Sequence, residues 1–190
     1  MTGDRRGRII LLNGASSSGK SSIAQALLPL LPDPWFLVPV DAIGAMRSAV
    51  HAQALTDAEA ELMLRRTRAG YHRVVAALAS TGNDVVMDYP LSEPWRLDDL
   101  LDVLEGYDVT LVEVRCDPEE LERRERDRGD RPPGLARSQV IDAHADSDIA
   151  VDTTRTGPGE LARVIADALP GVPVPKAFER LRVRRRSTPA

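Results

Sequence analysis

The sequence is poor in cysteine and in aromatic residues, and both shortages narrow what the protein can be. Its 190 residues include a single cysteine, Cys116, which excludes a framework of internal disulfides and argues against a cysteine-based metal cluster. Two Trp, three Tyr and two Phe leave few side chains for an aromatic clamp around a substrate.

An excess of basic residues and a long apolar run are also absent. The formal net charge is −4, which argues against a general nucleic-acid binder. No apolar run approaches the roughly 18 residues that a membrane span needs. The basic start, residues 1–8, is followed by a short apolar run that enters a glycine-bounded loop, so it does not resemble a signal peptide. We therefore expect a cytoplasmic protein without a nucleic-acid or membrane partner.

Length and apolar content favour one domain, which we expect to cover residues 1–169. With 43% apolar residues, the chain can bury a substantial core. From Pro170 onward the composition changes to prolines and arginines. Residues 170–190 are thus predicted to form a basic, proline-containing extension outside the core domain. Such a tail is either solvated or in contact with an acidic partner or a neighbouring subunit, as in a homo-oligomer.

Residues 14–21 have the spacing of a phosphate-binding loop, in which Gly, four free positions and then Gly-Lys-Ser occur in order. An apolar β-prone stretch precedes them and a helical pattern follows, so backbone N–H groups and a helix N-terminus can bind phosphates. The pattern predicts ATP and Mg²⁺ as cofactors, with Lys20 reaching phosphates and Ser21 ligating the metal. The predicted nucleotide-binding residues are Gly14, Ala15, Ser16, Ser17, Ser18, Gly19, Lys20, Ser21, Ser22 and, from a later charged helix, Arg124.

Strand-like and helical segments alternate along the chain, which is typical of a parallel sheet flanked by helices. Thr56 and Glu59 form a capping-box pattern that opens a helix to about Ser80. The predicted fold is α/β, a three-layer P-loop kinase-like domain with helices on both faces of a five-stranded parallel sheet and an arginine-containing lid. The predicted strands are residues 9–12, 36–40, 84–87, 109–114 and 149–151.

Two aspartates follow predicted strands at the edge of the sheet where parallel α/β proteins bind ligands. Asp41 could accept the proton of an acceptor hydroxyl, or it could cap a helix over residues 42–50. Asp88 could hold Mg²⁺, or it could be a turn residue before Tyr89. The roles of base and metal ligand could also be exchanged between the two carboxylates.

Arginines cluster in the charged helix near residue 124 and in the loop after it, at positions 124, 126, 128, 131 and 137. Arginines on a closing loop can neutralise charge during phosphoryl transfer, and residues 128–131 are the predicted lid. The alternative is a solvated face in which glutamates pair with arginines at helical spacing. Residues 152–154, after the last strand, border the nucleotide or form a plain turn.

Several of these segments together resemble the chloramphenicol phosphotransferase family over about residues 8–169. The resemblance implies an ATP-dependent kinase of a small-molecule hydroxyl. It implies Asp41 as the base and places Arg128 and Arg131 near the transferred phosphoryl group. The matching segments are residues 10–14, 16–21, 31–35, 40–41, Asp88, 115–117, 124–125, 128–131 and 151–154.

The predicted function is transfer of the γ-phosphoryl group of MgATP to a small molecule, an antibiotic or a related metabolite. The alternatives are a kinase of a shikimate-like, gluconate-like or nucleoside acceptor and a non-catalytic nucleotide-binding regulator. Residues 42–83, between the two aspartates, depart from the family and contain five arginines and one aromatic residue, Tyr71. We therefore expect chloramphenicol to be a poor acceptor and a polar or anionic molecule to suit the site better.

Overall fold

The computed structural model describes residues 5–52, 54–128 and 146–187. Five strands alternate with helices, as the sequence predicts, and each strand lies within two residues of its predicted bounds. The strands are β1 (Ile9–Asn13), β2 (Trp35–Pro39), β3 (Asp84–Asp88), β4 (Val109–Arg115) and β5 (Ile149–Asp152). The described helices are α1 (Lys20–Leu27), α2 (Val40–Ala45), α3 (Ala49–Ala52), α4 (Asp57–Ser80), α5 (Pro94–Val103), α6 (Pro118–Arg128), α7 (Pro158–Ala168) and α8 (Ala177–Ser187).

All strand pairs are parallel, and the strands lie in the order β2-β3-β1-β4-β5. Strand β1 is central, so the loop that follows it emerges in the middle of the sheet edge. The register pairs Leu12 of β1 with Asp88 of β3. The end of β3 is therefore brought beside the start of the phosphate-binding loop.

Helices cover both faces of the sheet, which confirms the predicted three-layer α/β architecture. Side chains of β1 alternate between two apolar cores, because successive strand residues point to opposite faces. Ile9 and Leu11 belong to the core formed with α4, α5 and α8. Ile10 and Leu12 belong to the core formed with α1 and α7.

The long helix α4 begins where its sequence signal places it. The Thr56 side chain accepts a hydrogen bond from the Glu59 backbone N–H, and the Glu59 carboxylate accepts one from the Thr56 backbone N–H. This reciprocal pair satisfies two of the backbone N–H groups that a helix start leaves open.

Within the described ranges, no helix has the length and apolar character needed to cross a bilayer.

The C-terminal segment is not an extension outside the domain, and that prediction is wrong for residues 177–187. Ala177, Phe178 and Leu181 of α8 lie in the first core. Arg182 is buried and donates hydrogen bonds at 2.7 and 2.6 Å to the carbonyl oxygens of Leu101 and Leu104, at the end of α5. These contacts satisfy carbonyl groups that a helix end leaves without intrahelical partners.

The acidic partner of the basic segment lies within the same chain. Arg180 and Arg184 pair with Asp146, and Arg186 pairs with Glu105 at 2.6 Å. Arg185 pairs with Asp102 on α5. The pairs of Arg185 and Arg186 are exposed, and such pairs each contribute little to stability, so the apolar contacts of α8 are its main attachment.

Phe178→Ala should therefore lower the free energy of unfolding by about 3–5 kcal/mol, because Phe178 is 1% exposed in the core. Val183→Ala on the same helix is the matched control, since Val183 is 64% exposed and its truncation should change stability by less than about 0.5 kcal/mol. Urea unfolding measures both. Equal, small effects would show that α8 is not part of the core.

Candidate active site

The loop between β1 and α1 is pressed against strand β4, and glycine permits this close approach. A Cβ atom at Gly14 would lie 2.5 Å from the Val114 carbonyl oxygen and 2.7 Å from Ser18 Oγ. Gly19, the N-cap of α1, has a φ of 90°, and Ser17 has a φ of 61°. Backbone in this left-handed region favours glycine, and non-glycine residues adopt it mainly where function requires it.

Two serines of this loop carry polar groups that a bound anion would satisfy. Ser17 Oγ and Ser18 Oγ are buried, and neither has a hydrogen-bond partner within the part of the chain that the structure describes. A buried hydroxyl without a partner is unfavourable. Phosphate oxygens placed over the N-terminus of α1 would accept hydrogen bonds from such groups, so the loop fits a nucleotide triphosphate.

Lys20 occupies the first position of α1 and is 7% exposed. Its ammonium Nζ donates a hydrogen bond to the Ala15 carbonyl oxygen at 2.7 Å, across the loop. A buried ammonium group is unfavourable unless charges or hydrogen bonds compensate it. The ammonium group therefore lies inside the loop, where the negative charge of a phosphate chain would compensate its positive charge.

Ser21 and Asp88 meet at the junction of α1 and β3. The Ser21 hydroxyl donates to Asp88 Oδ2 at 2.5 Å, and Asp88 is buried at the end of its strand. Mg²⁺ in phosphate sites is usually held by one or two protein oxygens together with phosphates and water. The described residues contain no group of three or more His, Cys, Asp or Glu side chains that could hold a metal. The Ser21–Asp88 pair thus fits a metal that arrives with a phosphate ligand.

Arg124 links the charged helix α6 to the phosphate-binding loop. Its guanidinium donates to the Thr153 carbonyl oxygen at 2.6 Å and to Thr153 Oγ1 at 3.1 Å. Thr153 Oγ1 in turn donates to the Ser18 carbonyl oxygen at 2.8 Å. The segment after β5 therefore supports the loop directly, and Thr153 is more than a turn residue.

The other arginines in and after α6 are either exposed on its surface or outside what the structure describes. Arg123 pairs with Glu120 and Asp127 at helical spacing, which is the solvated-face arrangement. Arg126 is exposed. Arg128 is the last residue of α6, and the predicted lid position of its side chain lies outside what the structure describes, as does Arg131.

Asp41 is not a helix cap, so that alternative is wrong. Strand β2 ends at Pro39, which is itself the N-cap residue, and Asp41 lies in the first turn of α2. Its side chain is exposed and borders a cleft of about 820 Å³ that Lys20, Ser21, Asp88 and Arg124 also line. The structure thus brings the five described charged or metal-binding candidates to one cleft.

Sequence reasoning missed Arg96 and Glu93, which follow β3. Arg96 is 4% exposed, lines the cleft and pairs with Glu93. An arginine in an amphipathic helix is normally read as exposed, so its burial has no clear sequence signal. The helix that contains Arg96 does have a sequence signal. Pro94 in its first turn precedes Leu97, Leu100 and Leu101, which are apolar and at helical spacing.

The model of a protein family described as "Chloramphenicol phosphotransferase-like protein" matches residues 7–170. The chain belongs to this family. Proteins named "Putative O-phosphotransferase" in two strains of Mycobacterium tuberculosis are 35% identical over 206 residues, which covers 97% of this chain and 92% of each relative.

Solved structures with a similar fold include kinases. The APS kinase of M. tuberculosis in complex with AMPPNP and APS has a TM-score of 0.61 at 21% identity, covering 87% of this chain and 98% of that one. Shikimate kinase from Acinetobacter baumannii in complex with shikimate has a TM-score of 0.65 at 14% identity, covering 90% and 97%. Family and fold together support a kinase-type phosphotransferase.

Two glycine substitutions test the loop geometry. Gly14→Ala should lower the free energy of unfolding by about 1–3 kcal/mol and abolish nucleotide binding, because the new methyl group collides with backbone of β4. Gly70→Ala is the control inside α4, where a Cβ meets nothing within 4 Å. It should raise stability by about 0.5–1 kcal/mol. Thermal unfolding and fluorescent-nucleotide titration report both effects, and normal binding by Gly14→Ala would contradict the proposed packing.

Proposed function

We propose that this protein transfers the γ-phosphoryl group of ATP to a hydroxyl group of a small molecule, with Mg²⁺ as cofactor. The observation that carries the proposal is the position of Asp41 in the same cleft as the phosphate-binding loop. A protein that only binds nucleotide needs the loop but has no need of a carboxylate beside it. This arrangement favours an enzyme over a nucleotide-binding regulator.

At the nucleotide end, residues 14–22 would hold the phosphate chain and Lys20 would offset its charge. Ser21 and Asp88 would hold Mg²⁺, which, when bound, neutralises charge on the β- and γ-phosphates. Arg124 would lie beside the nucleotide through its contacts with Thr153. The remaining lid arginines, Arg128 and Arg131, are proposed to approach the transferred group.

At the acceptor end, we assign the role of base to Asp41 and not to Asp88. Asp88 is buried and accepts the hydrogen bond of Ser21, so it would hold the metal together with Ser21. Asp41 is exposed to the cleft, where an acceptor can reach it. In the reaction, the acceptor oxygen bonds to the γ-phosphorus, the bond to the β–γ bridging oxygen breaks, and Asp41 takes the hydroxyl proton.

The family description names chloramphenicol, but the cleft argues for a different acceptor. Arg47, Arg68 and Arg96 line it, and Tyr71 is fully buried with its hydroxyl donating to the Val38 carbonyl oxygen at 2.7 Å. The cleft wall around Asp41 therefore adds three cations to an otherwise largely apolar lining, in which Tyr89 is the single aromatic residue among the described ones. A small-metabolite kinase suits this wall better than an enzyme for a neutral nitroaromatic drug.

Asp41→Asn should lower kcat by roughly 10²–10⁴-fold, because the amide cannot accept the hydroxyl proton. The affinity for ATP should stay within about twofold of wild type, since Asp41 is not part of the phosphate-binding loop. Asp167→Asn, an exposed position on α7, is the matched control and should have normal kcat.

The assay follows transfer of label from γ-labelled ATP into a library of antibiotics and hydroxylated metabolites, with the product identified by mass spectrometry. Chloramphenicol is included at saturating concentration and should be a poor acceptor. A fully active Asp41→Asn enzyme would remove Asp41 from the mechanism. Absence of transfer to every acceptor, with binding of ATP retained, would favour a regulator instead.

A further inference from the structure

The cleft is rich in positive charge although the chain as a whole is acidic. Among the described residues that line it, five side chains are cationic and two are acidic, whereas the whole chain has a net charge of −4. Lys20 and Arg124 adjoin the phosphate-binding loop. The other three cations, Arg47, Arg68 and Arg96, come from the region of α2, α4 and α5 and are left over once the nucleotide end is accounted for.

Arg68 and Arg96 share one carboxylate. Arg96 pairs with Glu93, and Arg68 contacts the same Glu93 oxygen at 3.3 Å. The second Glu93 oxygen accepts a hydrogen bond from Trp95 Nε1 at 2.6 Å. Both oxygens of Glu93 are therefore engaged, and the two guanidinium groups retain one net positive charge.

Burial and the neighbouring Arg96 lower the pKa of Arg68 below its ordinary value. Two guanidinium groups held close together in a partly dehydrated wall are unfavourable unless an anion lies between them or beside them. Glu93 supplies part of this compensation. A second carboxylate bound from the cleft would supply the rest.

The same wall contains hydrogen-bond donors that no described residue accepts. Arg96 Nε and the Tyr89 hydroxyl are both buried, and the structure gives neither of them a partner among the described residues. The Arg96 guanidinium lies 5.6 Å from the centre of the Tyr89 ring, so the two groups are neighbours. Both residues line the cleft, so a ligand with acceptor oxygens would satisfy donors that are otherwise unfavourable to bury.

This cationic wall lies beside the proposed base. Asp41 and Arg68 both line the same cleft. A small molecule whose anionic group contacts Arg68 can thus present a hydroxyl to Asp41.

We propose that Arg68 and Arg96 form an anion-binding subsite for the phosphoryl acceptor, and that the acceptor is a small hydroxy acid. The single net charge of the Arg68–Arg96–Glu93 group matches a monoanionic carboxylate better than a dianionic phosphate ester. Arg68 also suits a carboxylate geometrically, because a guanidinium can donate to it through paired N–H groups, whereas Arg96, which already donates to Glu93 and the Pro90 carbonyl oxygen, would add charge beside it. The inference rests on the proposed function, since it concerns the acceptor of that reaction.

The test compares hydroxy acids of two to six carbons and aromatic hydroxy acids with their own primary amides as acceptors. Wild type should phosphorylate at least one acid with a kcat/KM about 10–100-fold above that of its amide, the range expected from hydrogen bonds to a charged group. Arg68→Gln should raise KM for the acid by a similar factor, leave KM for ATP within about twofold and remove most of the preference for the acid. Arg66→Gln, an exposed position on the same helix outside the cleft lining, should behave as wild type.

Calorimetric titration of the MgADP complex with the same compounds provides a second measurement that needs no turnover. The inference is overturned if amides or other neutral alcohols are used as well as the acids, if phosphate monoesters are preferred, or if Arg68→Gln keeps the preference. It is also overturned if no acid is phosphorylated or bound. Efficient transfer to a neutral acceptor would reject the subsite while leaving the proposed phosphotransferase function intact. Loss of ATP binding or of all transfer would reject that function itself.

Discussion

The phosphate-binding loop lies against strand β4 because Gly14 has no side chain, and the rest of the site is built outward from this contact. A methyl group at Gly14 would overlap the Val114 carbonyl oxygen at 2.5 Å. The Thr153 hydroxyl holds the same loop from the next strand by donating to the Ser18 carbonyl oxygen. The loop is thus fixed on the side of β4 and β5. Helix α1 begins at Lys20, and its second residue, Ser21, contacts Asp88 of β3 on the opposite side of β1. The parallel register thus determines which side chains meet.

The cleft has two halves with different supports. The half that we propose to bind nucleotide lies at one edge of the sheet, where neighbouring strands set the positions of the loop after β1, Asp88 at the end of β3 and Thr153 after β5. The half that we propose to bind the acceptor is formed by α2, α4 and the first turn of α5, which contribute Asp41, Arg68 and Arg96. Phosphoryl transfer needs the same binding of the nucleotide phosphates whatever the acceptor, so the first half can stay constant. The second half would determine which acceptor is bound. Variation in the second half can therefore change the substrate while the fold and the phosphate-binding loop stay the same.

Local patterns were sufficient for most of the fold and for the nucleotide half. The strand–loop–helix arrangement around the Gly-x4-Gly-Lys-Ser spacing, the capping box at Thr56 and the apolar strands each depend on near neighbours in the chain, and these three structural predictions are confirmed. The burial of Arg182 and Arg96 could not be predicted in this way. Arg182 is buried because it reaches carbonyl oxygens 81 and 78 residues earlier in the chain, and such partners become apparent only in three dimensions. The partners of Arg96, Glu93 and the Pro90 carbonyl oxygen, are near in sequence, but the rest of the domain that covers them is not. Near-neighbour patterns therefore predict an extension outside the core domain where α8 packs into it, and they do not reveal the cleft-lining Arg96.

Substitution of Lys20 tests the central claim most directly, namely that the cleft binds ATP through its phosphates and uses it for transfer. The measurement is ATP affinity, by titration with and without Mg²⁺, together with ATP turnover in Lys20→Ala and in the exposed control Arg163→Ala. The account predicts that Lys20→Ala folds normally but loses turnover, because the lysine acts on phosphate charge, and that Arg163→Ala matches wild type. A folded Lys20→Ala protein with near-normal turnover would contradict it.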